Sequence, residues 1–167
     1  MDSALSVDPD LYNPDRYEVL TGITLRILRL TSTASKSLMY WTGEYGLPLM
    51  RIVLEALIVL RWLFKMDDVE YFRRFKDYGR GHLKLLKLHL DEYIETFEEV
   101  PHELEEYLDY LQYEVSQDIS EEWQGISLHG TFAQKSLRNM ASDVGMQDEY
   151  KLMLAPASSS LHGEWSE

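Results

Sequence analysis

Two pairs of polar residues have the types and spacing for phosphate or acid–base chemistry. Arg51 and Glu55 lie four residues apart in a strongly apolar stretch, and Ser158 and His162 lie four apart near the C-terminal end. On a helix, this spacing places both members of a pair on one face. A guanidinium can bind phosphate, a carboxylate can orient the guanidinium, and an imidazole can transfer protons near neutral pH. These four residues are therefore the candidate catalytic residues.

Each pair also has a plainer interpretation. Arg51 and Glu55 fit a buried ion pair that fixes helix packing, because long charged side chains are rarely buried unless they are paired. Ser158 and His162 fit a surface serine and a histidine that caps a helix. The spacing alone leaves both interpretations open for each pair.

A row of five cations follows, spaced three, four, four and three residues apart: Arg73, Lys76, Arg80, Lys84 and Lys87. The row fits either a phosphate backbone or an acidic neighbour within the chain. That neighbour exists, because residues 91–134 hold 13 acids and no Lys or Arg, which accounts for most of the net charge of −13. Long-range repulsion then restricts any nucleic-acid site to the rest of the chain.

Metal and cofactor sites are not expected. The chain has no cysteine, and His82 and His89 are seven residues apart, which is not a metal-ligand spacing. No HExxH, GxGxxG, GxxxxGK[ST] or GxSxG motif occurs, so zinc protease, dinucleotide, P-loop and hydrolase interpretations have no support. The absence of cysteine favours a reducing, cytoplasmic location, and the acidic N-terminal residues do not predict an export signal.

The element that must position the first pair is Leu47–Phe64, which is apolar except at Pro48, Arg51, Glu55 and Arg61. Its three charges argue against a membrane span. Because it is apolar nearly all round, we expect a central helix that other helices cover on most sides. The sequence predicts an all-α, single-domain bundle of five to six helices over residues 13–165, after a flexible lead at residues 1–12.

The other helices are predicted from caps and periodicity. The first begins at Asn13-Pro14 and ends near Gly43. One face, which we expect to pack against the central helix, carries Leu20, Thr24, Ile27, Thr31, Ala34, Leu38 and Trp41. A capping box at Asp67 and Glu70 begins the third, with a kink or break at residues 78–82 caused by Gly79 and Gly81. The fourth runs from Val100-Pro101 to about Trp123. A short helix follows, from a capping box at Thr131 and Gln134 to its end at Gly145. A last helix begins near Gln147 or Asp148.

Three segments together resemble a prokaryotic family of helical proteins of unknown function, over roughly residues 15–165. They are the Arg-x-x-x-Glu helix of Arg51 and Glu55, LRNMASDVGMQDEYKL at residues 137–152, and SSSLHGEW at residues 158–165. Members of that family often extend beyond the histidine, so the resemblance allows this chain to be a shortened member.

The architecture is in turn similar to the HEPN superfamily of helical RNases from toxin and phage-defence systems. The resemblance implies that His162 matches the family histidine, while Ser158 or Ser159 stands where an arginine is expected. This departure weakens the RNase expectation, because a serine does not stabilise phosphorane-like charge as an arginine does. Arg51 could supply the missing guanidinium, with Glu55 holding it in position.

Two functions follow from these observations. One is an HEPN-like effector that cleaves RNA or binds a nucleotide, with a homodimer implied by the resemblance. The alternative is a non-catalytic module for protein–protein interaction or self-assembly, which the eleven tyrosines favour because tyrosine is enriched in binding hot spots. The sequence leaves open whether the chain is an enzyme.

Overall fold

The computed structural model describes residues 13–97, 100–116, 131–154 and Ala157. Within these ranges the chain forms six α-helices and no strand: α1 (Pro14–Lys36), α2 (Gly43–Met66), α3 (Val69–Ile94), α4 (His102–Ser116), α5 (Leu137–Asp143) and α6 (Gln147–Glu149). A 3₁₀ turn (Leu38–Trp41) joins α1 to α2, and a π-helical turn (Tyr150–Leu154) continues α6. The prediction of an all-α helical bundle is confirmed.

The helices form two compact units by residue contacts, divided within α3 after Arg73 and again before Lys135. The first unit holds α1, α2, the start of α3, α5 and α6. The second holds the rest of α3 and α4. No helix of the described ranges is long and apolar enough to cross a membrane.

Helix α1 begins as predicted but ends early. The Asn13 side chain accepts a hydrogen bond from the backbone N–H of Arg16 at 3.2 Å, with Pro14 in the first turn. The helix stops at Lys36 because Ser37 is extended, with φ −130° and ψ 121°. The preceding hydroxyls bond to backbone carbonyls, including Ser35 Oγ to Ser32 O at 2.8 Å. Such bonds compete with helical backbone pairing, so the predicted end near Gly43 was wrong.

The connection to α2 is tight. Trp41 Nε1 donates to the Ala34 carbonyl at 3.3 Å, which also accepts from the Ser37 backbone N–H at the end of α1. A Cβ atom at Gly46 would lie 2.6 Å from the Tyr40 carbonyl oxygen, so only glycine fits there. Arg16 Nε pairs with Asp67 Oδ1 at 2.7 Å, which ties the start of α1 to the end of α2.

Helix α2 is the central element of the first unit, and most of its positions are buried or half-buried. Its buried residues are Leu54, Ile58, Trp62 and Leu63, and the first three lie one helical turn apart. Ile52 is 40% exposed and Phe64 is 52% exposed. The prediction of a central apolar helix is confirmed, because α2 contacts α1, the 3₁₀ turn, α5 and the π-helical turn, and Ile52 and Phe64 are the apolar positions of residues 47–64 that stay exposed.

Helix α1 packs against α2 through its first half. Its buried residues are Val19, Leu20 and Ile23. Thr24 and Thr31, which were predicted to face the central helix, are exposed, and their hydroxyls bond to the carbonyls of Leu20 and Ile27. Because each hydroxyl is already hydrogen-bonded within α1, it does not require a partner on a neighbouring helix.

The junctions around α3 and α5 use other caps than predicted. Asp67 ends α2 in a left-handed conformation with φ 44°, and Asp68 Oδ1 accepts from the Glu70 N–H at 2.9 Å. Ser136 Oγ, not Thr131, accepts from the Asn139 N–H at 3.3 Å at the start of α5. Gly145 has φ 71°, which a glycine adopts without strain, and it follows α5 as predicted.

Helix α5 and the π-helical turn both pack against α2. They contribute the buried residues Met140, Ala141 and Leu154, and Met146 is buried between them in the chain. The C-terminal end of the central helix is therefore covered by the C-terminal part of the described chain.

In the second unit, α3 continues through Gly79 and Gly81 as one helix, so the chain has no break there. The basic row pairs in part with acids of its own helix: Arg80 with the buried Asp77 and Lys87 with Asp91 in this unit, and Arg73 with Glu70 in the part of α3 that belongs to the first unit. Leu111 is the buried residue of α4, and Tyr107, Tyr110 and Tyr113 are exposed beside its acids. The predicted continuation of α4 to Trp123 lies outside the described residues.

Candidate functional site

Arg51 and Glu55 both lie on α2, as predicted, but they do not form an ion pair within the described residues. Glu55 is exposed and Arg51 is half-buried. An ion pair between two groups in contact with water would stabilise the fold only slightly, because the high dielectric constant of water weakens the attraction between the charges. The interpretation as a buried strut of the core was therefore wrong.

Ser158 and His162 lie outside the described residues, so their approach to Arg51 stays a prediction. Within the described ranges, no group of three or more His, Asp or Glu side chains is placed to hold a metal ion. The candidate site is accordingly represented by its α2 half, one guanidinium and one carboxylate on neighbouring turns.

The most exposed apolar surface of the first unit lies where α1 turns into α2. We call this surface the hairpin tip and define it by Leu38, Met39, Trp41 and Tyr45. Leu38 is 84% exposed and Trp41 is 75% exposed. Large side chains of this kind, clustered in eight residues, mark interaction sites on soluble proteins.

Charged side chains near the hairpin tip are left without ion pairs in the described structure. Residues 19–43 contain three cations and no acid. The cations are Arg26, Arg29 and Lys36, all exposed, and α2 presents the exposed acids Glu44 and Glu55. Over these residues α1 is therefore basic, and α2 carries two exposed carboxylates on either side of Arg51.

A second polar cluster joins α2 to α5. Asp143 Oδ2 accepts from Trp62 Nε1 at 2.9 Å and also from Lys135 Nζ. Lys65 Nζ donates to the backbone carbonyl of Asp143. We call these four residues the Asp143 cluster. The ring of Trp62 is buried and meets Tyr71 edge-on, with centroids 4.8 Å apart.

The hydrogen bond from Lys135 lowers the pKa of Asp143 below its usual value, with further lowering from the Trp62 hydrogen bond and the positive charge of Lys65. Partial burial acts in the opposite direction but does not outweigh them. Asp143 is therefore ionised at neutral pH, and its charge is balanced by Lys135.

The sequence carried a weak signal for this cluster. Tryptophan in an apolar helix needs a partner for its indole N–H when it is buried. Trp62 met that description, but 81 residues separate it from its partner. No local spacing rule connects residues that far apart, so Trp62, Lys65, Lys135 and Asp143 were not among the predicted site residues.

Neither a curated protein nor a solved structure matches the chain at a significant level. A family model matches residues 17–167, which is most of the chain. The resemblance to a family of unknown function is thereby confirmed at that level, and the chain belongs to the Family of unknown function (DUF5677).

Proposed function

We propose that this chain is a self-assembly module that forms a two-fold symmetric homodimer through α1, the hairpin tip and α2. The observation that carries the proposal is the exposure of the hairpin tip. When a second copy covers side chains such as Leu38 and Trp41, their apolar surface loses contact with water. This burial stabilises the dimer by about 25 cal/mol per Å² of apolar area.

The unpaired charges favour a second copy as the partner. In a two-fold symmetric interface, the same patch lies on both sides, so α1 of one protomer can meet α2 of its partner. The basic α1 residues Arg26 and Arg29 would then face the partner's Glu44 and Glu55. Complementary charge of this kind sets the register and orientation of an interface.

The double substitution of Leu38 and Met39 by serine is expected to shift the protein from dimer to monomer. Both side chains are exposed, and no described hydrogen bond involves them, so the fold should survive. The measurement is light scattering coupled to gel filtration over a concentration series, with far-UV circular dichroism to check helix content.

The matched control is Leu152→Ser, which removes an apolar side chain that is 75% exposed on the π-helical turn. It should leave the dimer intact. A wild-type protein that is monomeric throughout the series, or a Leu152→Ser protein that dissociates as readily as the double variant, would refute the proposed interface.

The second proposed function is an HEPN-like effector of a toxin or phage-defence system that acts on RNA or a nucleotide in the cytoplasm. One observation favours it. Arg51 is half-buried and has no ion pair within the described residues, so its guanidinium remains available for phosphate. In this proposal His162 is the general acid or base, Glu55 orients Arg51, and Ser158 stands where the related enzymes carry an arginine.

His162→Ala and Arg51→Ala are each expected to lower RNA cleavage by about 10²–10⁴-fold, because each removes a group that acts on the transition state. Cleavage of a labelled RNA, with growth arrest on expression as a second readout, measures this. The control is His89→Ala, which removes an exposed histidine whose partner is its helix neighbour Glu92. Activity that survives both substitutions would eliminate the catalytic assignment.

A further inference from the structure

An open groove of about 510 Å³ lies at the C-terminal end of α2. Its lining residues come from α2 and from the end of α5: Leu60, Arg61, Phe64, Lys65, Asp143 and Val144. The volume is within the range of about 300–1,000 Å³ that small-molecule sites occupy. All of these residues belong to the first unit.

The charge of the groove is positive. Arg61 is exposed and makes no ion pair or hydrogen bond within the described residues. Lys65 donates to the backbone carbonyl of Asp143 and also lies near the Asp143 carboxylate, whose pKa it lowers. Among the lining residues the one acid is Asp143, and Lys135 already pairs with it. The lining residues therefore carry a net charge of +1, and Lys135, which pairs with Asp143 beside the groove, adds a further positive charge.

The groove also has an apolar wall. Leu60, Phe64 and Val144 line it, and half of the Phe64 surface is open to solvent. The guanidinium carbon of Arg16 lies 5.9 Å from the centre of the Phe64 ring, which restrains the ring from one side. A flat apolar group can stack on a restrained aromatic ring at little entropic cost.

The geometry points to a binding site for a nucleoside monophosphate in this groove. Arg61 and Lys65 lie one turn apart, so both can reach one phosphate dianion, for which the planar guanidinium is well suited. The base would lie along Phe64, Leu60 and Val144. Lys65 also offsets the negative end of the α2 dipole, so Arg61 is the cation that no structural role explains.

The test follows the indole N–H resonance of Trp62, which bonds to Asp143 at the edge of the groove. Adenosine monophosphate should shift this resonance saturably in the intact chain. Adenosine, which lacks the phosphate, and inorganic phosphate, which lacks the base, should each bind at least about tenfold more weakly, a difference of about 1.4 kcal/mol.

Arg61→Gln should weaken binding of adenosine monophosphate by about tenfold or more. The matched control is Arg138→Gln, which removes the same charge from an exposed arginine of α5 outside the groove and should leave binding unchanged. No saturable shift up to about 10 mM ligand, equal weakening by both substitutions, or inorganic phosphate binding as tightly as the nucleotide would overturn the assignment.

This inference does not depend on self-assembly. The groove residues are different from those of the hairpin tip, and dimer formation is measured by light scattering in the absence of nucleotide. A monomeric protein that binds adenosine monophosphate, or a dimeric protein that does not, would separate the two proposals.

Discussion

Replacing Trp62 by alanine is expected to lower the free energy of unfolding by about 3–5 kcal/mol, the range measured for large aromatic residues in cores. Trp62 is 2% exposed, contacts Tyr71 edge-on and is, with Lys65, one of two residues of α2 that bond to Asp143. The substitution removes the ring, leaves a cavity and breaks the bond from Trp62 to Asp143. Urea denaturation followed by far-UV circular dichroism measures the loss.

Trp62→Phe separates the two contributions. Phenylalanine keeps a ring against Tyr71 but has no N–H for Asp143, so its cost should be clearly smaller than that of alanine. Asp143 would still be paired with Lys135, so the carboxylate would not lose its cation. If phenylalanine costs as much as alanine, the hydrogen bond and not the packing of the ring holds this junction.

Replacing Ile58 by aspartate is expected to prevent folding. Ile58 is 0% exposed and belongs to the buried side of α2. An ionised carboxylate there loses its hydration without gaining a partner, at an effective cost of several kcal/mol. A domain has only about 5–15 kcal/mol of stability to lose. The expected result is insoluble protein, or soluble protein without amide dispersion in its NMR spectrum.

Ile52→Asp is the matched control, because it makes the same chemical change on the same helix. Ile52 is on the open side of α2, so the variant should fold with normal helix content. It should also weaken the proposed dimer, since it places a charge close to the hairpin tip. A properly folded Ile58→Asp, or an unfolded Ile52→Asp, would mean that the buried side of α2 is assigned incorrectly.

Local sequence signals predicted the starts and stops that depend on a single residue. Asn13 with Pro14 begins α1, and Gly145 follows α5, because each of these residues fits a backbone geometry that most others do not. The existence of the long helices also followed from periodicity. The sequence did not predict helix boundaries where several residues could end or cap the helix. The hydroxyl-rich end of α1 and the two aspartates at the start of α3 are examples.

Packing was the part that the sequence could not supply. Gly79 and Gly81 each cost up to about 1 kcal/mol in a helix, which is less than the neighbouring residues of α3 gain by continuing it. The apolar character of α2 did not reveal that Ile52 would remain open. For the candidate site, the residue spacing correctly predicted that Arg51 and Glu55 lie on one helix. It did not predict how exposed the two side chains are.

The Asp143 cluster also sets an order of events during synthesis. Trp62 leaves the ribosome 81 residues before its partner, and at about 5–20 residues per second this interval lasts about 4–16 s. During that time, the side of α2 that α5 will cover has no native cover. The nascent chain therefore carries an apolar helix that a chaperone such as a holdase could recognise, until residues 135–143 emerge and close over it.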